Sequence, residues 1–171
     1  MKIKLPVLKI LTNKKGLTLI EIVLTIGIFS LVLYFVSVSF IKVQRGNILS
    51  DNTWQITAIL REAQNRSFSG EAIGEDQLHF GVLFSQNSYR EFATTSNYAA
   101  RDLDFDVLNN LASILEFTNI NLPDNCLQPN DCIIFSPIVG TPSASGSIHL
   151  RNKVDQAIKK ISINSQGKVS F

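Results

Sequence analysis

The stretch Lys14-Lys15-Gly16-Leu17-Thr18-Leu19-Ile20-Glu21 places two lysines and a glycine ahead of an apolar run, and one carboxylate inside it. Apart from Glu21, each residue from Leu17 to Ile41 is apolar, small or hydroxylated. That is about 25 residues, where roughly 20 suffice to cross the hydrocarbon core of a bilayer. A charge in such a span costs about 2.5 to 3.5 kcal/mol even on the gentler insertion scales, so Glu21 needs a partner.

Working back from this stretch, five lysines (Lys2, Lys4, Lys9, Lys14 and Lys15) precede the run. Short basic segments beside a span stay cytoplasmic, which sends everything after Ile41 outward. Residues 1–16 read as a leader with no fold of their own. An ordinary secretory signal has a shorter apolar region followed by a small-residue cleavage site, whereas here the Lys-Lys-Gly lies ahead of a longer run. If the leader is removed, its five lysines leave 11 basic against 14 acidic side chains, a balance of −3 in place of the formal +2. A mildly acidic product argues against bulk nucleic-acid binding, whose footprint is a basic face. The length of 171 residues suits one folded head plus an anchor. With export implied, Cys126 and Cys132 lie in an oxidising compartment, where a disulfide is favoured over a metal pair, and two thiols are too few for a structural zinc site. Closing so short a loop stabilises a fold by about 2 to 3 kcal/mol on the chain-entropy model.

Working forward, Lys42 and Arg45 mark the outer boundary, but Leu49, Ile56, Ile59, Leu60 and Ala63 continue at helical spacing. The run and this amphipathic stretch read as one helix from Leu17 to about Ser67, about 75 Å long at 1.5 Å per residue, with Gly46 as a soft point and Gly70 as its stop. The segments are thus a leader over 1–16, a transmembrane helix over 17–41, its amphipathic continuation over 42–69, and a head over 70–171. In the head, short apolar runs divided by Gly, Pro, Asn and Ser predict strands near Leu78–Phe84, Tyr89–Ala93, Leu103–Val107, Ile114–Ile120, Cys132–Phe135, Ser147–Arg151, Ile158–Ile163 and Lys168–Phe171. Asn164-Ser165-Gln166-Gly167 suits a hairpin turn, and Pro137–Gly146 reads as a loop. Val107–Leu115 also fits a short helix, with Leu108, Leu111, Ala112 and Leu115 on one side. The fold class is α+β, a long N-terminal helix packed on an antiparallel, β-rich head.

A basic leader ending in Gly16, a hydrophobic Leu17, then Thr18, then Glu21 four positions beyond Leu17, together resemble the class III signal of type IV prepilins and of the related pseudopilins of type II secretion. Leu17 stands where that family usually has Phe, a conservative departure. The resemblance implies cleavage between Gly16 and Leu17 by a prepilin peptidase, N-methylation of Leu17, and a role for Glu21 in assembly. The freed amine of Leu17 is a new cation, and pairing Glu21 of one subunit with Leu17 of a neighbour offsets two charges costly in hydrocarbon. Gly27, Ser30, Ser37 and Ser39 would allow close approach of such helices. The resemblance implies other pilin or pseudopilin subunits and an inner-membrane assembly platform as partners. It implies a single-pass inner-membrane protein, its N-terminus cytoplasmic and its head extracytoplasmic, which then enters a pilus or pseudopilus. In the head, Phe80-Gly81-Val82-Leu83-Phe84, Tyr89, Ser145-Gly146-Ser147-Ile148-His149-Leu150, Ile161-Ser162-Ile163 and Gly167-Lys168-Val169 are similar to H-type minor pseudopilins and related minor pilins. The function implied is that of a structural minor subunit.

Other readings compete. An uncleaved anchor carrying an extracytoplasmic binding domain would let Glu21 snorkel to the interface, but leaves its coincidence with Lys-Lys-Gly unexplained. Arg151, Lys153, Lys159, Lys160 and Lys168 would hold phosphates if the strands gathered them, as in a minor pilin that takes up DNA; ordinary solvated charge is the favoured account. Asp102, Asp104 and Asp106 alternate with Leu103, Phe105 and Val107, so a regular strand sets three carboxylates on a solvated face opposite a buried one, a calcium site being disfavoured. His79 and His149 lack a catalytic companion, and Trp54 reads as core. No nucleophile motif, phosphate loop or metal-ligand cluster is present, so no catalytic residue, metal or cofactor is assigned and the chain is not read as an enzyme.

Overall fold

The computed structural model describes residues 16, 18–73, 76–122 and 131–171. The leader lysines, Leu17 and Cys126 lie outside them. The chain divides into two compact units, Met1–Ile41 and Lys42–Phe171.

One helix, α1, runs from Leu19 to Ser69. Within the first unit its residues are exposed throughout, Leu19 and Ile20 at 82% and 74%. This part of the helix is apolar on all sides. It is long and apolar enough to cross a membrane. Within the second unit α1 becomes one-sided and buries Leu49, Thr53, Ile56, Thr57, Leu60, Ala63 and Ser67, spaced by three or four residues. Gly70 ends it with φ 69°, a left-handed conformation that costs glycine nothing, and donates its N–H to the Ser67 carbonyl at 3.1 Å.

The head strands are β1 (Ala72–Ile73), β2 (Asp76–Gln77), β3 (His79–Ser85), β4 (Ser88–Thr94), β5 (Arg101–Asn110), β6 (Leu115–Asn121), β7 (Cys132–Phe135), β8 (Gly146–Asn152), β9 (Ile158–Ile163) and β10 (Val169–Ser170). Two four-stranded antiparallel sheets result, in the orders β5-β4-β3-β7 and β10-β9-β8-β6, besides the small β1–β2 pair. Leu49, Ile56, Leu60 and Ala63 of α1 share one core with Phe80, Val82, Phe84 and Phe135 of the first sheet and Phe117, Ile148, Leu150 and Ile161 of the second. The α+β layout expected from the sequence is therefore present. The first sheet is also covered on its other face, where Leu83, Phe92, Cys132 and Ile134 pack with Tyr98. This explains why β7 is buried at all four positions.

Each of the eight expected strands has a counterpart. The turn before β10 is set by the Asn164 carboxamide, whose oxygen accepts the N–H groups of Gln166 and Lys168, and by Gly167 at φ 81°. The β1–β2 pair is an addition that no periodicity announces. Three expectations are corrected. Trp54, expected in the core, is 55% exposed and meets the Phe171 ring. Val107–Asn110 is strand, not the start of a short helix, because Ser88–Glu91 pairs with it residue for residue. The Asp-x-Asp-x-Asp alternation also fails. Glu91 pairs with Val107 but Ala93 with Asp102, so three extra residues of β5 bulge out of the ladder and the two-residue period is lost. Leu103 and Val107, expected on a buried face, are 68% and 51% exposed, and only Phe105 packs on the core.

Candidate functional site

At the start of α1 the described residues are Gly16, Thr18 and those from Leu19 onward. Thr18 is the cap. Its carbonyl accepts the N–H of Glu21 at 3.1 Å and of Ile22 at 3.2 Å, and its hydroxyl accepts the Glu21 N–H at 3.3 Å. Thr18-Leu19-Ile20-Glu21 thus has the sequence form of a capping box, a signal legible from Thr and Glu three apart, and the capping role of Thr18 is what the sequence reading did not assign. Glu21 stands exposed in the first turn, where the helix dipole favours a carboxylate by about 0.3 to 1 kcal/mol. That term is smaller than the cost of placing the charge in hydrocarbon, so capping by itself does not account for Glu21.

Up to Ile41 the serine and threonine hydroxyls beyond the cap turn onto the helix itself. Thr25 donates to the Glu21 carbonyl, Ser30 to Ile26 at 2.8 Å, Ser37 to Leu33 at 2.8 Å and Ser39 to Phe35 at 3.2 Å. Polar atoms satisfied within the segment are what a hydrocarbon environment requires. They also leave Gly27, whose position has open space around it, as the smallest element of the surface.

Cys132 is disulfide-bonded and fully buried at the start of β7, next to Leu83, while Cys126 lies outside the described residues.

The five basic candidates are dispersed. Arg151 is held by Glu116, Nε to Oε1 at 3.0 Å, and this bond keeps the Glu116 carboxyl below its ordinary value. Lys153 donates to the Asn87 side chain and the Ser113 carbonyl. Lys159 and Lys160 are successive residues of β9 and so point to opposite faces. Lys159, paired with buried Leu150, lies 5.7 Å from the Phe171 ring, while Lys160 is paired with His149. Lys168 sits in the turn ahead of β10. His79 is held below its ordinary imidazole value by burial. Asp106 is drawn away from its two neighbours by Arg90 at 2.9 Å and Arg101 at 3.0 Å. Among the described residues no group of three or more His, Cys, Asp or Glu could hold a metal ion.

No family model, curated protein or solved structure matches the chain.

Two charged groups at the helix–sheet contact complete the electrostatics. Arg66 of α1 forks onto Glu71 at 3.2 and 3.0 Å and lies 4.1 Å over the Phe80 ring. Glu91 of β4 is raised above its ordinary carboxylate value by burial, against the lowering hydrogen bond from Asn109, with Glu62 adding repulsion.

Proposed function

We propose that the chain is a pilin-like structural subunit, a minor pilin or H-type minor pseudopilin. On this reading a prepilin peptidase supplied in trans cleaves it between Gly16 and Leu17, and it then passes from the inner membrane into a pilus or pseudopilus through the assembly platform. The observation that carries the reading is the single helix from Leu19 to Ser69, unpartnered and apolar up to Ile41 and core-forming beyond Leu49, with the Gly16–Glu21 signal at its start. A helix made this way has one half reserved for surroundings that its own chain does not supply. Neighbouring subunits meet that need, and a Leu17 amine meets the need of Glu21.

A DNA-uptake role has less support, because Lys159 and Lys160 fall on opposite faces and Arg151 is neutralised by Glu116. The uncleaved anchor is the stronger rival. N-terminal mass spectrometry of the chain extracted from membranes of a host with a prepilin peptidase separates them. The expected mass begins at Leu17, with or without an N-methyl group, and a chain retaining Lys14 and Lys15 would defeat the proposal. Replacing Glu21 with Ala should leave cleavage intact and reduce cross-linking to neighbouring subunits by about tenfold or more, the size expected for an uncompensated charge on the partner amine.

A further inference from the structure

Arg66 and Glu91 line one cavity of about 20 Å³ between α1 and the first sheet, roughly the room of a single water molecule. Ala63, Phe80, Phe105 and Val107 give it apolar walls. Glu91 stands on the side of β4 that faces α1, the side that also carries buried Tyr89 and Ala93. Its Oε1 accepts the Asn109 Nδ2–H at 2.9 Å. The neighbouring cation of β4, Arg90, falls on the opposite side and is taken by Asp106. Among the described residues that line the cavity, Arg66 is therefore the one cation.

That cation is turned elsewhere. Arg66 donates from Nε and Nη2 to Glu71, and its guanidinium carbon lies 4.1 Å from the centre of the Phe80 ring and 5.6 Å from that of Phe105. It sits over the cavity wall, with one carboxylate outside and one carboxyl within. The outer pair is 36% and 42% exposed, so water screens it and it holds Arg66 weakly. A charge on the half-buried inner carboxyl would be screened less and would attract Arg66 more strongly. The groups around Glu91 decide whether that charge is present. From α1, Glu62 repels it and Arg66 attracts it; on β4, Tyr89 has a phenol raised by burial and by Glu91 itself. β3 presents Val82 and β5 presents Val107 and the neutral Asn109. Burial outweighs the attractive contacts and holds the Glu91 carboxyl above its ordinary range. While the proton stays, Arg66 has no inner charge to meet.

We propose that Arg66 is a two-position cation governed by Glu91: it holds Glu71 while Glu91 is protonated, and turns inward to Glu91 once that carboxyl ionises. The inward turn releases Glu71, the residue that leads from α1 into β1 and whose carbonyl accepts the Leu78 N–H at 2.8 Å. The junction between the end of α1 and the head is thereby a proton-responsive joint. This goes beyond the filament reading and is independent of the N-terminal signal.

The test titrates the full chain in detergent micelles, with carbon-13 glutamate and nitrogen-15 arginine labels read by nuclear magnetic resonance. The Glu91 carboxyl is assigned with Glu91→Gln and the Arg66 Nε–H with Arg66→Lys. The two signals should move together, with one midpoint above the ordinary carboxylate value. In Glu91→Gln the Arg66 Nε–H should stay still through that window. Glu71→Gln removes the rival and should lower the Glu91 midpoint, whereas Arg66→Gln should raise it further. Glu71 is exposed, so its variant carries the test even where the loss of Arg66 disturbs the fold. The double variant Glu71→Gln, Arg66→Gln should titrate as Arg66→Gln does alone, because Glu71 acts through Arg66. An Arg66 signal that ignores the Glu91 midpoint, or a Glu91 midpoint indifferent to Glu71→Gln, would overturn the proposal. So would a Glu71→Gln shift that persists without Arg66, which would reduce Glu71 to plain repulsion. None of these outcomes bears on cleavage after Gly16.

Discussion

The two parts of α1 use the same residue types to different ends. Up to Ile41 the helix is apolar all round and its described residues are all exposed; from Leu49 to Ser67 it is one-sided and buries seven residues. Its hydroxyls mark the change. Ser30, Ser37 and Ser39 close onto carbonyls one turn back, and so do buried Thr53 and Thr57. Ser67 instead turns outward, donating to the Phe135 carbonyl at 3.1 Å and accepting the Phe80 N–H at 3.0 Å, and so ties α1 to β7 and β3. A helix can satisfy a hydroxyl by itself in any solvent, but only a folded head gives it a tertiary partner.

The largest expected difference comes from shortening leucine on each side. Leu60 has no exposure and Leu31 is 61% exposed. Leu60→Ala should lower the stability of the head by about 2 to 5 kcal/mol. Leu31→Ala should leave the thermal midpoint unchanged. Both are read by the fluorescence of Trp54, the one tryptophan, which packs on Phe171 at 4.4 Å. Equal losses would dissolve the distinction between the two parts.

The next concerns the hydroxyls. Ser67→Ala leaves a buried N–H without its partner and should cost about 1 to 3 kcal/mol, while Ser37→Ala removes a self-satisfied group and should change stability by no more than a few tenths of a kcal/mol. Urea denaturation of the two variants side by side decides it.

The smallest is a pH dependence confined to the head. Burial raises Glu91, so the folded head holds that proton more tightly than the unfolded chain does. Its contribution is greatest below the ordinary carboxylate value and is lost as pH rises through the raised one. Glu91→Gln should flatten the fall of the midpoint over that window. Glu116 works the other way, because Arg151 lowers it, and its contribution disappears as pH falls through the lowered value. A variant with the full slope retained would clear Glu91 of the effect.

Most of the elements were legible because their periods are strong. The helix followed from its apolar run and the spacing of Leu49, Ile56 and Leu60, and β9 and β10 from the polar turn between them. What resisted reading depended on pairing. The β5 bulge is a mismatch between two strands that neither carries alone, and it overturned the expected burial of Leu103 and Val107. The order of the strands decided that Arg151 meets Glu116 and that the lysines do not gather. At the N-terminal site Glu21 was legible from its cost in hydrocarbon, whereas the part Thr18 plays emerged from the hydrogen bond to the Glu21 N–H.

By itself, then, the sequence determined the long helix, its change of character after Ile41, the positions of the strands and the anomaly at Glu21. These rest on local periodicity and on the solvation energy of single side chains, both properties of neighbours along the chain. Only the tertiary structure decided which strands adjoin, where Ser67 finds its partners and how the charges of the head are shared. Those outcomes depend on distances between residues far apart in sequence, which composition and spacing do not encode.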